Sequence, residues 1–243
     1  LDWGPDLEEL KRQLSPRTKM IAICNPNNPT GAVLSQEAMK EIVRLAEKVN
    51  AWVYADEIYR GAELDGKETP TFLGMSKKVI VCSGLSKAYA LPGLRIGWLV
   101  GPKQEIDKAW ASHDYTTISP GIIGDRVAAQ VLKPEMRDKV LSRNRKILNE
   151  NLAALEAWIQ KHKTLFKLIS PRAGAVAFPR YTMNINSTDL MTRLIKEKSV
   201  FVVAGDCFGM DRFIRIGIGG EKEYFSKALS LIDQIFSETW ENI

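Results

Sequence analysis

The first hundred residues alternate short apolar runs with longer segments of helical spacing. Leu7, Leu10 and Leu14 recur at helical intervals after Pro5, and Pro16 ends that pattern. Lys19–Cys24 is a compact apolar run and predicts a strand. The stretch that follows, Asn25-Pro26-Asn27-Asn28-Pro29-Thr30-Gly31, consists of turn formers throughout. Ser35 is placed to cap a helix running to about Asn50, with Ile42, Val43, Leu45, Ala46 and Val49 on its inner side. Further strands are predicted at Trp52–Ala55, Val79–Cys82 and Leu94–Val100, the last ended by Gly101-Pro102.

Strand, crossover helix, strand is the pattern of an α/β layer, so the fold class expected is α/β with a largely parallel sheet flanked by helices. Ligands of such sheets gather at the carboxyl ends of the strands. The polar residues after Cys24, Ala55 and Cys82 therefore become the candidate site. From Lys103 to Lys163 the pattern is helical, with a long charged stretch from Pro134 onward. Short strands follow at Phe166–Ile169 and Val176–Phe178, then a helix at Asp189–Lys198, strands at Val200–Val203 and Arg212–Ile218, and a last helix at Glu223–Thr239. This tail predicts a smaller C-terminal α+β domain. The boundary is expected inside the long helix, between Lys146 and Lys161, which gives a large domain over 1–150 and a small one over 151–243.

Composition narrows the functions available. The chain has 243 residues, of which 45% are hydrophobic, enough for a sizeable core and too apolar for disorder. No apolar run approaches the length needed to cross a bilayer, so no membrane partner is expected. Lys and Arg number 34 against 29 Asp and Glu, and the excess of +5 is dispersed among acids along helical faces. That is a solvated surface with no nucleic-acid footprint. Cys24, Cys82 and Cys207 lie far apart, and His113 and His162 form no cluster with them. Neither a disulfide scaffold nor a metal site is expected, and the pattern fits the cytoplasm. The chain begins Leu1-Asp2-Trp3, without Met and without the pattern of a signal peptide, and reads as starting inside a domain.

The chemistry centres on Lys87, in Ser83-Gly84-Leu85-Ser86-Lys87-Ala88-Tyr89-Ala90-Leu91-Pro92-Gly93-Leu94-Arg95-Ile96-Gly97. By itself it reads more readily as an ordinary exposed lysine than as a desolvated amine that attacks a carbonyl to form a Schiff base. Its company decides between them. The Asn-Pro-Thr-Gly-like turn Asn25–Gly31, Ala55-Asp56-Glu57-Ile58-Tyr59, the Gly84–Gly97 stretch and Phe213-Ile214-Arg215-Ile216-Gly217 occur in that order. In these motifs the sequence resembles the pyridoxal-phosphate-dependent aminotransferases of class I/II, fold type I.

The resemblance implies pyridoxal 5'-phosphate as cofactor, held by Lys87 as a Schiff base, with Lys87 as the catalytic residue that then moves the substrate's α-proton. Asp56 would pair with the protonated pyridine nitrogen. Asn28 and Tyr59 would hydrogen-bond the phenolic oxygen, and Ser83, Ser86 and Arg95 would bind the phosphate. Arg215, with Asn28 beside the substrate, would clamp the substrate α-carboxylate. The implied reaction moves an amino group between an amino acid and a 2-oxo acid, in a homodimer. A carbon–sulfur β-lyase or a cyclising synthase would share all four motifs. So would an inactive fragment, or a ligand-binding domain of the same fold from a transcription regulator. Residues 1–27 hold no counterpart of the family's phosphate-cradling glycine helix start or ring-stacking aromatic, and Gly84 stands where many members have a serine. The chain is therefore expected to be the carboxy-terminal part of a larger enzyme.

Overall fold

Three parallel strands, β1 (Met20–Cys24), β2 (Trp52–Asp56) and β3 (Val79–Gly84), form the centre of the computed structural model, which describes residues 3–240. Antiparallel β4 (Gly97–Val100) adds to β3, and the sheet order is β1-β2-β3-β4. Side chains alternate between the two faces of a strand. Val53, Ala55, Val79 and Val81 are buried on one face against Met39, Val43 and Ala46 of α2 (Gln36–Lys48). Burying each large apolar side chain there stabilises the layer by roughly 1.5–3 kcal/mol. The opposite face carries Tyr54, Asp56, Ile80 and Cys82, all half-buried. The start of α2 follows the predicted chemistry, because the Ser35 hydroxyl accepts from the Ala38 amide at 3.1 Å.

The chain divides into two units. The first comprises residues 1–28, 32–144 and 172–174. It holds α1 (Leu7–Gln13), the sheet, α2, α3 (Lys103–His113), α4 (Ile122–Val131) and the start of α5 (Pro134–Lys161). The second comprises 29–31, 145–171 and 175–243. Its strands are short. β5 (Phe166–Lys167) pairs with β7 (Arg180–Tyr181), and β6 (Val176–Ala177), β9 (Ile214–Gly217) and β8 (Val203–Ala204) form an antiparallel sheet in the order β6-β9-β8. α6 (Ser187–Lys198) and α7 (Lys222–Trp240) complete it. Phe166 anchors its core, with ring centroids 4.8 Å from Trp158 and 5.1 Å from Phe236. Residues 1–2 and 241–243, the outer ends of the expected domain bounds, lie outside the described residues.

The α/β class with a mostly parallel sheet is the architecture observed. Two strand expectations change. The run Leu94–Val100 pairs only from Gly97, because Pro92–Leu94 closes a 3₁₀ turn and Arg95 adopts a left-handed φ of 54°. The run Val200–Val203 pairs only at Val203–Ala204. Val200 instead donates to the Leu194 carbonyl at 3.0 Å and closes the end of α6, with Ser199 in the left-handed region at φ 54°.

Candidate active site

The register of the sheet brings three side chains into one row. Cys24 is aligned with Asp56, and Asp56 with Cys82, at the carboxyl ends of β1, β2 and β3. Aligned positions in a parallel sheet share a face, so the row points to one side. The turn after β1 is pinned to it. Asn25 is buried, donates from its amide to the Asp56 carbonyl at 2.9 Å and accepts from the Leu34 amide at 3.0 Å. The Cys24 thiol donates to the Pro26 carbonyl at 3.2 Å, and the Asn28 amide donates to the Cys24 sulfur. Asn28 is thus held beside the end of β1.

Asp56 closes β2, and its Oδ1 accepts from the Ile58 amide at 2.9 Å, a local turn that aims the carboxylate. One and three residues on, Glu57 and Tyr59 turn inward. Tyr59 is buried, and its ring lies so close to Gly174, at φ +87°, that a Cβ there would sit 3.3 Å from it. Glu57 is buried and accepts from the Thr71 hydroxyl at 2.9 Å and the Phe72 amide at 2.7 Å. Burial raises its pKa above the ordinary carboxylate value.

Lys87 sits in the turn that leaves β3. Leu85 donates to the Ile96 carbonyl at 3.0 Å, Leu91 to the Leu85 carbonyl at 2.9 Å, and the Asn144 side chain to the Ala88 carbonyl at 3.0 Å. Leu85, Ala88 and Tyr89 are buried, so the turn is fixed while Lys87 itself projects to the surface. Among the described residues no hydrogen bond or ion pair engages its ammonium. Gly84 has a structural reason, since a Cβ there would lie 2.8 Å from the Ile96 carbonyl oxygen. Ser83 donates to the Glu57 carbonyl at 3.2 Å, and Ser86 is half-buried. Arg95 is exposed and donates to the Pro92 carbonyl at 2.8 Å.

A cleft of about 570 Å³ lies beside this row, lined among others by Cys82, Ser83, Arg95, Trp98, Trp110 and His113. Lys87 does not line it. Both His113 ring nitrogens are engaged, with the Ile118 carbonyl at 3.0 Å and the Thr117 hydroxyl at 2.9 Å.

The first unit therefore carries Asn28, Asp56, Tyr59, Ser83, Ser86, Lys87 and Arg95. All belong to the turns that leave β1, β2 and β3, except Arg95, which precedes β4. Arg215 belongs to the second unit, in β9, half-buried with its guanidinium 5.4 Å from the Phe208 ring. Cys82, Tyr54, Glu57 and the aromatic wall of the cleft were not singled out as site residues by sequence. Only the register of β2 on β3 joins Cys82 to Asp56 and Tyr54. The described residues contain no group of three His, Cys, Asp or Glu able to hold a metal. As a donor set, an unengaged amine, an aimed carboxylate, two serine hydroxyls and a guanidinium fit an aldehyde-bearing aromatic cation with a phosphate.

The family described as Aminotransferase class I and II matches residues 1–232. Capreomycidine synthase of Streptomyces vinaceus is 30% identical over 96% of this chain and 59% of its own length. Glutamate-pyruvate aminotransferase AlaA of Escherichia coli K12 is 44% identical over a shorter stretch, 42% of this chain and 26% of its own. The crystal structure of a PLP-dependent aminotransferase from Streptococcus suis 89-1591 superposes with a TM-score of 0.90 at 36% identity, covering 98% of this chain and 62% of that one. The chain thus spans about three-fifths of the length of the relatives it matches.

Proposed function

The chain belongs to the class I and II aminotransferases, and from that membership we propose that it transfers an amino group between an amino acid and a 2-oxo acid, with pyridoxal 5'-phosphate held by Lys87. Members of this family depend on that cofactor. When bound, it supplies an aldehyde for amine exchange and a ring that accepts electron density from the substrate α-carbon. One observation carries the reading. The motif residues Asn28, Asp56, Ser83, Ser86 and Lys87 all fall at or just beyond the carboxyl ends of three adjacent parallel strands.

The chain's own residues then have defined tasks. The Lys87 amine would hold the cofactor at its aldehyde carbon, with loss of water, and when free would move a proton at the substrate α-carbon. Asp56 would pair with the ring N–H, and its turn with the Ile58 amide keeps it aimed. Asn28 and Tyr59 would donate to the phenolic oxygen. Ser83, Ser86 and Arg95 bind the phosphate by charge-assisted hydrogen bonds. Arg215 holds the substrate carboxylate, a fork-shaped task that suits guanidinium. A homodimer in the cytoplasm completes this reading. The exposed Trp110, Ile118, Ile122 and Ile123 of the first unit support self-association, and the free cysteines fit a reducing compartment.

The test supplies pyridoxal phosphate and a panel of amino acids, with and without a 2-oxo acid, to the chain and to Lys87→Ala. Oxo-acid-dependent formation of a new amino acid, lost in the variant, is the result expected. The likeness to a capreomycidine synthase favours one alternative, a cyclising synthase. It would consume one amino acid with no oxo acid present. That outcome would replace transamination while keeping the cofactor.

A further inference from the structure

Resting on the reading of Asp56 as the cofactor's partner, we propose that Cys82 is a positioning residue for it: the Cys82 thiol donates to the Asp56 carboxylate, and the Tyr54 hydroxyl donates to the Cys82 sulfur. The geometry comes from the sheet. Asp56 and Cys82 are register partners on β2 and β3, whose strands lie about 4.8 Å apart. Tyr54 precedes Asp56 by two positions on β2, so both project from the same face. On this shared face the Tyr54 hydroxyl acts to lower the Cys82 pKa and Asp56 to raise it, as expected of a donor to the sulfur and an acceptor of the thiol proton. In this proposal Asp56 is held twice, by its own chain through the Ile58 amide at 2.9 Å and by the neighbouring strand through its register partner Cys82.

A carboxylate offers about four lone-pair directions, so two donors orient it and leave room for a cationic N–H. A thiol suits this place because it is a weak donor. It limits rotation of the carboxylate without claiming much of its charge. Cys24, on the other side of Asp56, does not duplicate the role, because its thiol is committed to the Pro26 carbonyl.

The arrangement requires Cys82 to keep its proton. Burial and the negative charges of Asp56 and Glu57 raise its pKa, while the Tyr54 hydroxyl opposes them. Burial likewise pushes Cys24 up to about 11. At neutral pH Cys82 is thus a donor and a poor nucleophile.

The test needs no cofactor at first. Alkylation of each cysteine by iodoacetamide is followed by peptide mass spectrometry against pH, in the chain, in Asp56→Asn and in Tyr54→Phe. Asp56→Asn should speed Cys82 alkylation at pH 8.5 severalfold, and Tyr54→Phe should slow it. Exposed Cys207 is the internal reference and should not change. A Cys82 rate within about twofold of the parent in Asp56→Asn overturns the proposal. A second variant probes the other end. Cys82 and burial push the Tyr54 hydroxyl up to about 12, so in Cys82→Ala its phenolate band should develop at lower pH, taken as the difference from Tyr54→Phe. An unmoved band overturns the proposal as well. With pyridoxal phosphate added, Cys82→Ala should bind it severalfold more weakly and Cys82→Ser should restore binding, whereas equal binding by Cys82→Ala refutes positioning. If the unmutated chain binds no cofactor, the proposed function fails, and the alkylation rates still decide for or against the relay.

Discussion

Substituting alanine for Gly84 tests how the Lys87 turn is built. The new Cβ would lie 2.8 Å from the Ile96 carbonyl oxygen, 3.0 Å from the Gly97 Cα and 3.3 Å from Ile58 Cδ1. The first two are backbone atoms and cannot rotate away, so the ends of β3 and β4 must part by several tenths of an ångström. Overpacking of this kind costs about 1–3 kcal/mol. The separation also strains the hydrogen bond from Leu85 to Ile96, now 3.0 Å, whose loss adds about 1 kcal/mol. The sum is a destabilisation of about 2–4 kcal/mol for the first unit. Gly93→Ala is the control, because nothing lies within 4 Å of its Cβ position, and it should stay within about 0.5 kcal/mol of the parent. Urea unfolding followed by tryptophan fluorescence reads both, since Trp52 and Trp98 lie in this sheet. A Gly84→Ala midpoint matching that of Gly93→Ala would refute the claim that β3 and β4 meet through glycine alone.

Two further predictions concern charge. The folded pKa of Glu57 is raised above its ordinary 4.5, chiefly by burial. Its contribution to stability is therefore complete below 4.5 and is lost as pH rises through the raised value. Glu57→Gln should flatten the fall in urea midpoint between mildly acidic and neutral pH, and an unchanged slope would contradict the assignment. Arg215→Ala should raise KM for the amino-acid donor by about 30–1000-fold, the loss of a charge-assisted fork worth roughly 2–4 kcal/mol, with cofactor binding unchanged. A variant with normal KM would remove Arg215 from the substrate site.

The first unit was legible because its signals are local. β1, β2 and β3 are uninterrupted apolar runs between turn formers, and Ser35 and Pro16 stand at the helix ends they predict. Their polar tails, Asn28, Asp56 and Lys87, follow the strands directly, so fold and candidate site came from one pattern. What stayed hidden depends on tertiary pairing. Nothing in the sequence joins Cys82 to Tyr54 and Asp56 until β3 docks on β2 in register. Glu57 and Glu63 are buried carboxylates with no periodicity to betray them, Glu57 accepting from the Phe72 amide and Glu63 from the Gly61 and Thr69 amides. In the second unit the strands are mostly two residues long, too short for alternation to register. Val200 and Val202 look like a strand and are buried, yet the backbone of Val200 serves the end of α6.

The central claim is that the Lys87 amine is the cofactor's covalent anchor. The direct measurement is borohydride reduction of the chain mixed with pyridoxal phosphate, then proteolysis and mass spectrometry of the peptide spanning β3 and its turn. The account predicts a single phosphopyridoxyl mass increment on Lys87, absent from Lys87→Ala. Label scattered over surface lysines, or equal labelling of the variant, would contradict it.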